Sequence, residues 1–136
     1  MLFRVRPGSP VPLGEQIAAC VRGAIADGTA VPGERLPPAR EVAESLGVNV
    51  HTVLRGYQRL RDESLIELRR GRGAVITAAP DAPGRARLTE CVNALIGQAR
   101  ELGLTDEEFL AVVRAGLGGT AASGLPGGED GEAGAG

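Results

Sequence analysis

The chain has 136 residues, a formal net charge of −2, 15 Arg with no Lys, two Cys, one His and no Trp, which suits one ordinary domain plus an appendage with an aliphatic core. No apolar run is long enough to cross a membrane, the opening MLFRVRPGS lacks the apolar stretch of a secretion signal, and two Cys without a CxxC pair beside a single His are too few ligands for a zinc site. The expectation is a soluble cytoplasmic protein with no cofactor and no membrane partner.

Residues 1–10 read as extended, with Pro7-Gly8-Ser9-Pro10 as a turn. A first helix is predicted from Pro12, because proline is tolerated at the first helical position. Leu13, Ile17, Val21 and Ile25 then recur on one face, supported by Cys20 and Ala24, and Gly28 stops the helix. Pro32-Gly33-Glu34 is a turn and Arg35-Leu36 a short extended piece. Pro37-Pro38 forbids helix before Pro38 and allows one over about 38–46, with Val42, Ala43 and Leu46 inward and Gly47 as the stop.

Asn49 can cap a third helix by accepting an orphan N–H of its first turn. Val53, Tyr57 and Leu60 are spaced to bury one face, leaving His51, Arg55, Gln58 and Arg59 on the others. Leu65–Leu68 is a strand, Arg69-Arg70-Gly71-Arg72-Gly73 a turn, and Ala74–Ile76 the returning strand. Residues 78–84 read as a linker. Leu88, Val92, Leu95, Ala99 and Leu102 then repeat at intervals of 4, 3, 4 and 3, the rhythm of a helix packed on another helix. Thr105 and Glu108 form a capping box for a last helix with Phe109, Val112, Val113 and Leu117 on its apolar face. From Gly118 the chain is Gly-, Ala- and acid-rich and reads as a disordered tail. Cys20 and Cys91 both have apolar neighbours and read as small buried hydrophobes in a reducing compartment.

The order is helix, helix, turn, helix, hairpin: mainly α with a small β-hairpin wing, a winged helix-turn-helix over 1–77 followed by two helices over 85–117. A helix of this length fits a DNA major groove, and its first turn carries the side chains that reach base edges. Here that turn is Asn49-Val50-His51-Thr52, with Arg55 one turn on. Arg40 is placed to touch the backbone, and Arg70 and Arg72 flank glycines that allow close approach to a minor groove. Charge agrees in sign: residues 1–76 hold 11 Arg against 8 acids, residues 77–136 4 Arg against 9. Any one of these arginines alone reads as a solvated surface charge; their placement on consecutive elements carries the inference.

The stretch 10–77 resembles the N-terminal domain of GntR-family bacterial transcription regulators. The resemblance rests on Pro12-Leu13, Gln16-Ile17, Gly28, Pro32-Gly33-Glu34-Arg35-Leu36-Pro37, Arg40-Glu41, Gly47-Val48, Thr52-Val53 and Gly71-Arg72-Gly73. The run Val48–Tyr57 is similar to the VNPNTV-x-KAY run of the YtrA-like subfamily, and residues 85–117 leave room for two helices only. The resemblance implies double-stranded DNA as partner, with contacts at Arg40, Asn49, His51, Thr52, Arg55, Arg70 and Gly71; the residues themselves add Arg72. It also implies dimerisation through the C-terminal helices, where the heptad independently points to Leu88, Val92, Leu95, Ala99 and Leu102 and the apolar face of the last helix adds Phe109 and Val113. Three positions depart from the family. Val50 and His51 stand for Pro and Asn, which alters the operator read, and Pro38 stands for a capping Ser.

The expected function is therefore a sequence-specific DNA-binding transcription regulator, a repressor binding an inverted repeat as a homodimer. The alternative is a winged-helix protein–protein interaction module without DNA binding. An enzyme finds little support and is not expected: no acid/base pair is placed for chemistry, and Gly71-Arg72-Gly73 precedes a strand, so it is no nucleotide loop. A small-molecule effector, unidentified from these residues, would sit between subunits or at a hinge, since so little chain follows the wing. Cys91 on the presumed dimer helix raises a second use, an intermolecular disulfide.

Overall fold

The computed structural model describes residues 3–122. The chain forms two compact units, Met1–Val92 and Asn93–Gly136. In the first, α1 (Leu13–Asp27), α2 (Ala39–Leu46) and α3 (Val50–Asp62) precede a hairpin of β1 (Ile66–Arg69) and β2 (Gly73–Ile76). The start of α4 (Ala82–Glu101) belongs to the same unit. The core is aliphatic, as the composition requires: Ile17, Val21 and Ile25 of α1, Val42 of α2, Val53 and Leu60 of α3, Ile66 and Ile76 of the hairpin. This is the winged helix-turn-helix the sequence predicts.

Local signals set the boundaries. Gly47 follows α2 at φ 69°, a left-handed conformation that costs a glycine nothing, and its N–H bonds Ala43 O. Pro38 precedes α2 without a side-chain cap. Asn49 Oδ1 accepts the His51 N–H at 2.8 Å and opens α3. The hairpin pairs Ile66 with Ile76 and Arg69 with Gly73, and Gly71 and Gly73 at φ 81° and 76° shape its tip. Arg35-Leu36 adds a third extended piece: Arg35 bridges Val75, and Leu36 N–H donates to Ala74 O at 2.8 Å. The wing is thereby stitched to the turn that precedes α2.

The second unit holds the end of α4 and α5 (Asp106–Ala122). The capping box forms, with Glu108 N–H donating to Thr105 Oγ1 at 3.1 Å and Thr105 N–H to Glu108 Oε1 at 2.8 Å.

Four expectations shift. Helix α4 begins at Ala82, inside the stretch read as a linker over 78–84. Ala82 and Ala86 are buried in the winged-helix core, and Asp81 accepts the Arg85 N–H, so burial and a first-turn bond outweigh Pro83, which a first helical turn tolerates. Helix α5 runs through Gly118 and Gly119 to Ala122, because extending an existing helix is far easier than nucleating one; residues 123–136 of the predicted tail lie outside the described residues. Neither cysteine is fully buried. Cys20 is half-buried with Sγ against the Arg4 backbone, and Cys91 is exposed, because it stands on an α4 stripe that the chain itself leaves uncovered. Leu102 falls just beyond α4, and Ala99 is buried within its own chain.

Candidate nucleic-acid interface

The helix expected to enter the major groove is α3, and its buried side is fixed from three directions. It crosses α1 at a pair of glycines: a Cβ on Gly56 would stand 2.7 Å from Gly14 O, and one on Gly14 3.1 Å from Thr52 O. Any side chain at Gly56 would push the two backbones apart. Tyr57, one residue on, donates its hydroxyl to Pro37 O at 2.7 Å, tying α3 to the loop before α2. Burial pushes the Tyr57 phenol up to about 12, so the hydroxyl stays protonated and keeps donating.

The third support is ionic. Arg22, 1% exposed, donates a two-pronged bond to Glu63 at 2.9 and 2.8 Å and lies 3.3 Å from Glu15 Oε2. Burial opposes the Arg22 charge, but the Glu63 and Glu15 carboxylates outweigh it and raise the guanidinium further above its ordinary range. Arg59 completes the cluster against the same two carboxylates at 3.1 and 2.8 Å. Sequence reasoning missed this cluster, although a signal was available. Arg22 lies four residues after Ala18 and three before Ile25, on the apolar face of α1, where a lone Arg demands acidic partners.

The opposite side of α3 is open. His51, Arg55, Gln58 and Asp62 succeed one another at intervals of 4, 3 and 4 and all are exposed. Thr52 is half-buried and, with Arg55, Gln58 and Arg59, lines an open groove of about 590 Å³ against Pro12-Leu13-Gly14-Glu15 at the start of α1. Gln58, left out of the predicted contacts, therefore shares the exposed face of His51 and Arg55. Its amide donates to Asp62 Oδ1 at 2.9 Å, and that acidic residue closes the exposed row at the last position of α3.

Other predicted residues divide by what they already hold. Arg40 on α2, Arg55 on α3 and Arg70 at the wing tip are exposed and form no ion pair among the described residues. Asn49 holds its cap through Oδ1, which anchors its side chain at the start of α3. Arg72 turns back and donates to Gly33 O at 3.3 Å, bracing the wing, while Gly71 stands exposed beside it. Among the predicted contacts, the free cations thus lie on α3, on the helix before it and on the hairpin after it. Such a set can bind phosphates on either side of a groove while α3 meets base edges.

Comparison with known proteins agrees with this geometry. The profile of the bacterial regulatory proteins of the gntR family matches residues 13–76. The HTH-type transcriptional regulator Rv1152 of Mycobacterium tuberculosis is 34% identical over 79% of this chain and 88% of its own. The HTH-type transcriptional repressor YtrA of Bacillus subtilis is 36% identical over 56% of this chain and 58% of its own. Relatives differ in length: the chain spans 26% of a further mycobacterial regulator that is 47% identical over the matched part. Among solved structures, YtrA from Sulfolobus acidocaldarius, a GntR-family transcription factor, superposes with a TM-score of 0.54 at 26% identity, over 88% of this chain and 99% of that one.

Proposed function

The chain belongs to the GntR family of bacterial regulatory proteins, and from that premise we propose that it represses transcription as a homodimer on an inverted-repeat operator. DNA binding and transcriptional regulation come with the family. Repression, the twofold operator and the dimer are the proposed part, with the cytoplasm as the place of action.

The observation that carries the reading is a set of exposed arginines on three consecutive elements, Arg40, Arg55 and Arg70, without an ion pair among the described residues, around a helix whose other side is locked. The dimer is supported by a second one. Eight of the twelve exposed large aliphatics among the described residues lie from Leu88 onward, including Leu88, Val92, Leu95, Leu102 and Val113. Water-exposed aliphatics concentrated on two helices favour association. A C2 pair of identical chains presents two α3 helices related by a twofold axis, which matches an inverted repeat. Phe109 is half-buried and Ala99 is covered by its own chain, so the proposed seam runs chiefly through Leu88, Val92, Leu95 and Val113.

The test is binding of the purified protein to the DNA upstream of its own gene. Arg55→Ala and Arg40→Ala are each expected to weaken binding with an unchanged unfolding midpoint. Each should also lower the slope of log affinity against log salt by about one where the lost contact is to phosphate. Tight binding that survives both substitutions would overturn the assigned face, and no affinity for any duplex would favour the protein-interaction reading.

A further inference from the structure

The first turns of α4 do more than follow the wing. Arg85 donates from Nη1 to Glu63 O at 2.9 Å and from Nη2 to Ser64 O at 3.4 Å, and is itself held by Asp81 Oδ2 at 3.2 Å. Arg87 Nη2 donates to Ala26 O at 3.0 Å. Glu63 caps the C-terminus of α3, and Ala26 lies in the last turn of α1. These are the carbonyls a helix leaves without an internal partner, at the negative end of its dipole. Helix α1 has no basic residue in its own last turn, so Arg87 supplies that cation from α4. Ser64, beside the Arg85 contact, sits at φ 61°, a left-handed conformation unusual for a residue with a side chain. Between the two arginines Ala86 is fully buried, and Ala82, one turn earlier, is nearly so.

Leu88 and Val92, on the same stretch of α4, are 64% and 41% exposed. One short run therefore holds the ends of α1 and α3 on one side and carries the proposed dimer seam on the other. We propose that Arg85 and Arg87 are positioning residues that set operator spacing: by locking α4 to the C-terminal ends of α3 and α1, they fix how far apart the two reading helices of a dimer stand. The proposal rests on the homodimer and inverted-repeat reading above. Geometry makes the demand strict. Adding one base pair between half-sites moves them apart by about 3.4 Å and turns one against the other by about 35°. A dimer clamped at this joint cannot follow that change, whereas one with a loose joint can.

The experiment uses the full chain. A half-site is selected from random-sequence duplexes with the native protein, then rebuilt as inverted repeats whose spacers grow by single base pairs. Affinities are measured for each spacer and for the lone half-site, with native protein and with Arg85→Ala/Arg87→Ala. The native protein should prefer one spacing over its neighbours by about tenfold or more. In the double variant that preference should flatten to below about threefold, with lone half-site affinity within about threefold of native. A folded variant with the native spacing profile overturns the proposal, since the arginines would then be structural only. If circular dichroism shows the double variant unfolded, Arg87→Ala alone is read by the same criterion, because its side chain is exposed and its loss touches one carbonyl. Native protein that binds a lone half-site as tightly as any inverted repeat overturns the dimer reading itself, and the spacing proposal with it.

Discussion

Single side chains in this protein carry duties that compete with the obvious reading of their type. Asn49 looks like an adenine reader, yet its Oδ1 is occupied in capping α3. Arg59 looks like a phosphate contact, yet it is tied to Glu15 and Glu63. Tyr57 is the clearest case, because its phenol is both core and hydrogen-bond donor. With its ionisation pushed up to about 12, the folded state favours the neutral form relative to an unfolded chain, whose tyrosine titrates near about 10. The sign follows from linkage: the contribution of Tyr57 to stability is whole below about pH 10 and is lost as pH rises through about 12. The chain has one Tyr and no Trp, so phenolate absorbance reports this residue alone. A spectrophotometric titration should show no phenolate near pH 10 in the native protein and a normal titration in denaturant. Phenolate at pH 10 without unfolding would show that burial does not hold the proton on Tyr57.

At the scale of elements, the decisive contact is the crossing of α1 and α3. Alanine is a better helix former than glycine by about 1 kcal/mol, so propensity alone says Gly56→Ala should stabilise α3. Packing says the reverse, because the new Cβ meets the Gly14 carbonyl oxygen at 2.7 Å and Ile17 at 3.2 Å, and a backbone cannot swing aside as a flexible side chain can. Overpacking of this kind costs about 1–3 kcal/mol. The expected net outcome is a lower urea midpoint for Gly56→Ala, together with weaker DNA binding as α3 is displaced; a variant more stable than native would refute the close crossing. The wing shows the same dependence on neighbours. Its hairpin is legible from Gly71 and Gly73, but its attachment through Arg35, Leu36 and Arg72 joins residues far apart in sequence, which no local pattern announces.

For the whole molecule, the open question is association. The α4 stripe of Leu88, Val92 and Leu95 is solvent-exposed in one chain, and its exposure is the physical argument for a partner. Val92→Glu places a charge in that stripe and should shift sedimentation from dimer to monomer. It should weaken binding to an inverted repeat by at least about tenfold through loss of the tethered second half, while sparing the winged-helix domain. A native protein that sediments as a monomer at the concentrations of DNA binding would end the dimer proposal. What the amino-acid sequence determined by itself was whatever depends on neighbours a few residues away: helix periods, the Gly47 stop, the Asn49 cap, the glycines of the wing and the Thr105–Glu108 box. These interactions are local, so their signals are contiguous. Only the tertiary structure decided which charges were free. It drew Arg22 and Arg59 to Glu15 and Glu63, turned Arg72 back onto Gly33, left Arg40, Arg55 and Arg70 without an ion pair among the described residues, and seated α4 on the ends of α1 and α3. An ion pair or an end-cap between distant segments depends on where the chain has folded, and spacing along the chain does not record it.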